Sequence, residues 1–168
     1  VRALMLAGLR HALTVRAFQF DLAISFIGLG VFNGLTTWVA SIIRPRGFSP
    51  TDAGLLGALM LAGGVVGAVV LPLLSDKQRR RQRYLMLAFL GAIPGLAGLT
   101  FAASAGLLFA SAVVTGFFLV SALPIGMQYG AEVTQPTPEG TSNGLIQLFG
   151  QASVIFVYIM EALKSADG

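Results

Sequence analysis

The sequence has no cysteine, one histidine and one tryptophan, and charge is scarce: 11 Lys or Arg and 7 Asp or Glu in 168 residues. Each shortage excludes something. Without cysteine there are no disulfides and no thiolate metal sites, and the lone His11 lies outside every apolar run, which argues against a histidine-dependent intramembrane hydrolase. No metal site, no cofactor and no catalytic residue is expected. Charged residues make up 11% of the chain, against about a quarter in soluble domains, with 55% hydrophobic residues and a mean hydropathy of +0.81. A soluble domain is therefore excluded. The net charge of +4 does not indicate a nucleic-acid partner, because the basic residues stand at the ends of apolar runs, where they orient helices in a bilayer.

What is present is a set of long charge-free stretches: 22 residues (Leu22 to Ile43), 23 (Ala53 to Ser75), 48 (Tyr84 to Ala131) and 21 (Gly140 to Met160). A hydrocarbon core about 30 Å thick takes about 20 apolar residues of helix at about 1.5 Å rise, and a charge placed mid-span is costly. Three stretches are one span each and the longest is two. The predicted fold class is all-α, a polytopic membrane bundle of five spans, with the lipid bilayer as its solvent.

Local punctuation sets the boundaries. Residues 1–17 read as an interfacial segment. The first span runs from about 20 to 43 and stops at Arg44-Pro45-Arg46-Gly47, where proline removes a backbone donor and glycine permits a turn. Ser49-Pro50-Thr51-Asp52 supplies an N-cap, a proline at the first helical position and an acid three residues after the cap, opening a span over about 51–75. The long stretch divides at Ala103-Ser104-Ala105-Gly106 into spans of about 84–102 and 107–130. Thr137-Pro138-Glu139 repeats the cap, proline and acid pattern and opens a fifth span over about 138–163.

Short loops force consecutive spans to alternate in direction, so the positive-inside rule applies. With the N-terminal segment cytoplasmic, Arg2, Arg10, Arg16 and the five basic residues between Lys77 and Arg83 lie inside, against Arg44, Arg46 and Lys164 outside. The Asp76 to Arg83 and Glu132 to Glu139 loops are then cytoplasmic as well. The chain starts at Val1 and ends on Lys164-Ser165-Ala166-Asp167-Gly168, which has the character of a loop feeding another span, so a longer protein is expected.

Lipid supplies little hydrophobic drive for helix association, so small residues that allow close backbone approach carry much of the packing. The second span holds Gly54, Gly57, Gly63, Gly64 and Gly67. That pattern suits either tight static packing or a surface on which helices slide. Pro94-Gly95 in the third span and Pro124 in the fourth interrupt the backbone ladder and are candidate kinks.

The fifth span carries the most informative constellation. Asn143, Gln147, Gln151, Tyr158 and Glu161 fall within roughly an 80° arc at about 100° per residue. A lipid-facing amide lacks partners, so this stripe faces protein or a watery cavity. It is either an interhelical hydrogen-bond seam or the wall of a solute pathway, and its length and exclusiveness favour the pathway. The first span repeats the pattern more weakly with Ser25, Asn33 and Thr36, and Trp38 near its outer end reads as an interfacial anchor. The seven acids all stand at or beyond span ends, so none is placed to carry a proton through the membrane. Asp76 and Glu132 instead face the loop containing Lys77, Arg80 and Arg81. Asp76, at a helix C-terminus where the dipole disfavours it, is expected to seek an arginine, and such a cluster is a candidate cytoplasmic gate or else a solvated topology signal.

These residues resemble a known family. Leu74-Ser75-Asp76-Lys77 followed by Arg79-Arg80-Arg81 is similar to the cytoplasmic loop motif of the major facilitator superfamily, with Pro72 where glycine is common. Ala131-Glu132-Val133, Pro136 and Gly140-Thr141-Ser142-Asn143-Gly144 resemble the junction between its tenth and eleventh helices, and Pro138-Glu139-Gly140-Thr141-Ser142 is similar to the feline leukaemia virus subgroup C receptor-related (heme and choline transporter) branch and its bacterial relatives.

The resemblance spans essentially the whole chain. It implies helices seven to eleven of a twelve-helix transporter, partnered by an N-terminal half and a last helix outside this sequence. It also implies a small organic solute moved by alternating access near the midplane and a cytoplasmic (inner) membrane location in a bacterium. Gln151 matches a glutamine of the branch's substrate cavity, whereas Asn33 stands where those transporters carry an aromatic ring that would cage a quaternary ammonium. His11 is outside the cavity, so heme gains no support. The expected function is secondary active or facilitative solute transport; the alternative is a structural or assembly subunit of a membrane complex, which would need no polar stripe. A membrane enzyme lacks an evident nucleophile, base or metal set.

Overall fold

A computed structural model of the chain describes residues 2–166, which are helical apart from short connections. The helices are α1 (Arg2–Thr14), α2 (Arg16–Ile43), α3 (Pro50–Gln78), α4 (Arg81–Phe101), α5 (Ala105–Val133), α6 (Glu139–Ala152) and α7 (Ile155–Ala166), with a single 3-10 turn over Arg44–Arg46. Five stretches are long and apolar enough to cross a membrane: Arg16–Arg46, Pro50–Gln78, Arg81–Phe101, Ala105–Val133 and Glu139–Leu163. Helices α3, α4 and α5 continue through Pro72, Pro94 and Pro124. The helices divide into two compact units, one formed by residues up to Asn33 and from Gly126 onward, the other by Gly34–Ile125.

In the first unit one face of α1 is packed. Gly8 allows its backbone onto the α5–α6 connection, where a methyl at that position would lie 3.1 Å from Thr137 Cγ2 and 3.2 Å from Pro138 Cδ. The Thr137 hydroxyl donates to the Gly8 carbonyl at 3.2 Å. Thr137 is therefore not the cap that its sequence context predicts. Pro138 occupies the N-cap position of α6 without a side-chain cap, since Glu139 follows Thr137 too closely for the box spacing and the threonine hydroxyl is committed to α1. Ala12, Phe18, Leu22, Leu145 and Ile146 form the buried core of this unit, flanked by Leu9, Val15, Met127 and Val133. Below it, the Thr134 hydroxyl donates to the Gly130 carbonyl at 2.7 Å and pairs with Ser142 Oγ at 2.6 Å, so α5 and α6 meet through satisfied buried hydroxyls.

Helix α2 and the fifth span run in the same direction. Phe18 and Ile146 converge at Gly130, while further along Leu29 lies against Gly150 and Gly30 against Ser153 and Phe156. Parallel first and fifth spans are what an alternating chain of five requires.

The second unit is assembled on glycine. A methyl added at Gly63 would lie 2.4 Å from the Val113 carbonyl oxygen, at Gly67 2.0 Å from that of Phe117, and at Gly116 1.9 Å from that of Met60, so α3 and α5 touch backbone to backbone. On its other side α5 meets Gly91, Gly95 and Gly98 of α4 through Phe118, Thr115 and Ser111. Gly63, Gly64 and Gly67 of the second span are thus used for close packing, whereas Gly54 and Gly57 have nothing within 4 Å.

Helix ends are closed locally. Ser49 and Asp52 form a reciprocal capping box at the start of α3: Asp52 N–H donates to Ser49 Oγ at 3.2 Å and Ser49 N–H to Asp52 Oδ2 at 2.8 Å. Arg79 adopts a left-handed conformation (φ 52°) that terminates α3. The Arg46 guanidinium donates to the carbonyls of Leu99 (2.8 Å), Ala102 (3.2 Å) and Ile42 (3.3 Å), tying the end of α2 to the end of α4.

Candidate functional site

The polar stripe is divided between two helices. The fifth span is interrupted at Ser153-Val154, where the bonds tighten to three-residue spacing: Ser153 N–H to Gly150 O and Val154 N–H to Gln151 O at 3.1 Å, then Phe156 N–H to Ser153 O and Val157 N–H to Val154 O at 2.9 Å. The side-chain phase established on α6 does not carry over to α7. Ser153 at the joint is fully buried, and its Oγ has no hydrogen-bond partner among the described residues.

On α6 the stripe turns gradually out of the packed face. Relative to Gly150, which faces Leu29 of α2, Asn143 sits roughly 20°, Gln147 roughly 60° and Gln151 roughly 100° around the helix. Burial follows that rotation. Asn143 and Gln147 are half-buried, Gln151 is exposed, and Asn143 Oδ1 is buried without a hydrogen-bond partner among the described residues. Tyr158 and Glu161 on α7 are exposed. The stripe is thus half-buried at Asn143 and Gln147 and exposed at Gln151.

Helix α2 presents its middle to the same span. Phe26 and Phe156 pack with ring centroids 5.2 Å apart at 58°, and Phe156 sits over Gly30, where a methyl would come within 2.5 Å of its ring. Asn33, half-buried, lies one turn beyond Gly30 on that face. Thr36 is exposed and belongs to the second unit.

Of the candidate gate residues, Asp76 and Arg81 form an ion pair that braces the α3–α4 turn, Arg81 being the more buried partner. This is the arginine contact expected of a carboxylate at a helix C-terminus. Lys77 and Arg80 are exposed, Arg80 at the N-cap position of α4, and Glu132 is exposed near the end of α5. Among the described residues no group of three His, Cys, Asp or Glu is placed to hold a metal.

Asp21 stands near the end of its span, as expected of the acids, but it is buried. It lies within α2 and is 1% exposed. Its spacing from Phe18 and Leu22 places it on the buried face of the helix, and that spacing is the signal in the sequence that marks it.

A bundle of apolar spans with one polar face defines a polytopic membrane protein. Residues 2–158 match the Major Facilitator Superfamily, and the chain belongs to that family. It is 34% identical over 145 residues to an uncharacterized protein of Archaeoglobus fulgidus, covering 84% of this chain and 66% of that protein. It is 29% identical over 161 residues to solute carrier family 49 member A3 of Xenopus tropicalis, covering 92% and 33%. With the human choline/ethanolamine transporter FLVCR2 it shares 28% identity over 145 residues, covering 82% and 28%. The chain spans about two thirds of the archaeal relative and about a third or less of the two animal proteins.

Proposed function

We propose that this chain forms part of the C-terminal half of a solute transporter that works by alternating access, its five spans corresponding to helices seven to eleven of twelve. The observation that carries the reading is the stripe of Asn143, Gln147 and Gln151, which passes from a packed seam to an open face on a span otherwise apolar. An amide facing lipid would forgo its hydrogen bonds, whereas a central cavity offers water and solute as partners. Asn33 and Tyr158 extend the pathway. Neutral amides suit a neutral or zwitterionic solute at least as well as a cation, and the choline/ethanolamine transporters among the relatives make small amino alcohols the first solutes to try.

In this reading the N-terminus, the Asp76–Arg81 pair and Glu132 are cytoplasmic, and Asp76 with Lys77, Arg80 and Arg81 is a candidate gate. The arginines of the N-terminal segment and the five basic residues from Lys77 to Arg83 support that orientation. The deciding experiment replaces Gln151 by leucine in the full-length protein and measures surface expression with uptake of radiolabelled choline and ethanolamine. Leucine keeps the bulk and removes the hydrogen-bonding capacity, so affinity or turnover falls while expression holds. Wild-type kinetics at wild-type expression return the stripe to a packing role.

A further inference from the structure

Asp21 is enclosed at the junction of three helices. A methyl placed on Gly130 of α5 would meet Ile146 Cδ1 of α6 at 2.6 Å, Asp21 Oδ2 at 2.8 Å and Phe18 Cε2 at 3.1 Å, so these groups already fill the space around that glycine. Neither carboxyl oxygen has a hydrogen-bond partner among the described residues. Among the residues whose side chains are described, the other ionisable groups on the packed elements are Arg10 and His11 of α1, Arg16 of α2, Tyr129 and Glu132 of α5, and Glu139 of α6. All are exposed except the half-buried Tyr129. An ionised carboxylate held among apolar side chains with no donor is strongly unfavourable. The junction has no space for a further group of even methyl size beside Gly130, so the counter-charge that fits is a proton.

We propose that Asp21 is the proton-binding group of the transporter, holding its proton while α2, α5 and α6 are closed around it and releasing it to water when that junction opens. The step balances simply: the carboxylic O–H breaks on opening, the proton passes to water and the carboxylate is hydrated, and closure reverses each change. The inference rests on the transport reading and adds coupling to it. Its position allows this, because Asp21 shares α2 with Asn33 and its neighbour Ile146 immediately precedes Gln147, so the proton site and the solute stripe lie on the same two helices.

The absence of cysteine from the chain gives a test that requires no solute. In the full-length protein, with any other cysteines changed to serine, Leu145→Cys reports opening of the buried junction and Gln82→Cys is an exposed control for the intrinsic pH dependence of thiol alkylation. The ratio of their N-ethylmaleimide rates should rise several-fold from mildly acidic to mildly alkaline buffer, and with Asp21→Asn it should stay low and flat. Asp21→Ser carries the same expectation if the asparagine variant fails to insert. A flat ratio in the wild-type background overturns the proposal. So does a rise that persists without the carboxylate, which would point to another group such as His11. Either failure leaves the Gln151→Leu test of transport intact.

Discussion

Replacing Gly67 by alanine adds one methyl group to the place where α3 and α5 approach most closely from the α3 side. It would stand 2.0 Å from the Phe117 carbonyl oxygen, 2.7 Å from its carbon and 2.9 Å from its Cα, where ordinary contact begins at 3.4 Å. All three atoms are backbone, so no rotamer change relieves the clash. Helix α5 has to retreat, and the contacts of Gly63 with Val113 and of Gly116 with Met60 loosen along the same seam. Overpacking of this kind costs about 1–3 kcal/mol, and the gain in helix propensity of about 1 kcal/mol from glycine to alanine offsets part of it. Gly57→Ala is the matched control, since it lies in the same helix with nothing within 4 Å of the added methyl. Thermal unfolding of the two purified variants of the full-length protein in the same detergent isolates the seam: Gly57→Ala should match or exceed wild type, and Gly67→Ala should melt well below it. Equal midpoints for the two would refute the backbone-to-backbone packing.

Other substitutions probe the helix ends and the turn. Arg46→Ala removes the guanidinium bonds to Leu99, Ala102 and Ile42 and should cost about 2 kcal/mol in the same unfolding assay, with Arg46→Lys in between. Ser49→Ala breaks the capping box and should cost about 1 kcal/mol, detectable as a fall of a few degrees in Tm. Asp76→Asn removes a partly exposed pair and should change stability by no more than about 1 kcal/mol, while slowing initial uptake if the cluster gates the cytoplasmic side. Unchanged uptake would leave the pair as a brace for its turn.

The spans could be read from the sequence because the bilayer imposes a single strong rule, the exclusion of charge over about 20 residues. The start of α3 was equally plain, since its box depends on four consecutive residues. Thr137 shows where local rules stop: its hydroxyl goes to Gly8, a residue far away in sequence, and only tertiary packing decides between that carbonyl and a cap. The joint at Ser153-Val154 contains neither proline nor glycine, so no local signal announced it. Its neighbours show what shapes it, because Gly30, Ser153 and Phe156 are packed against one another. The stripe was visible as a periodicity, but its division into a half-buried beginning and an exposed continuation depends on how far α6 is rotated toward α2. The position of Asp21 near a span end is legible in the sequence, but its burial is not, because position along the chain does not reveal what α5 and α6 bring to its other side.

The glycine contacts on both flanks of α5 also determine what kind of movement that part of the molecule can make. Gly63, Gly67 and Gly116 face backbone atoms, Gly95 and Gly98 face Thr115 and Ser111, and Gly91 faces the ring of Phe118, so a Cβ at any of these positions would have no space. Such a contact works as a keyway that opposes screw motion and slippage of α5 against α3 and α4. Over Gly34–Ile125 the three helices are therefore held together by close contacts that a shift of one residue would break.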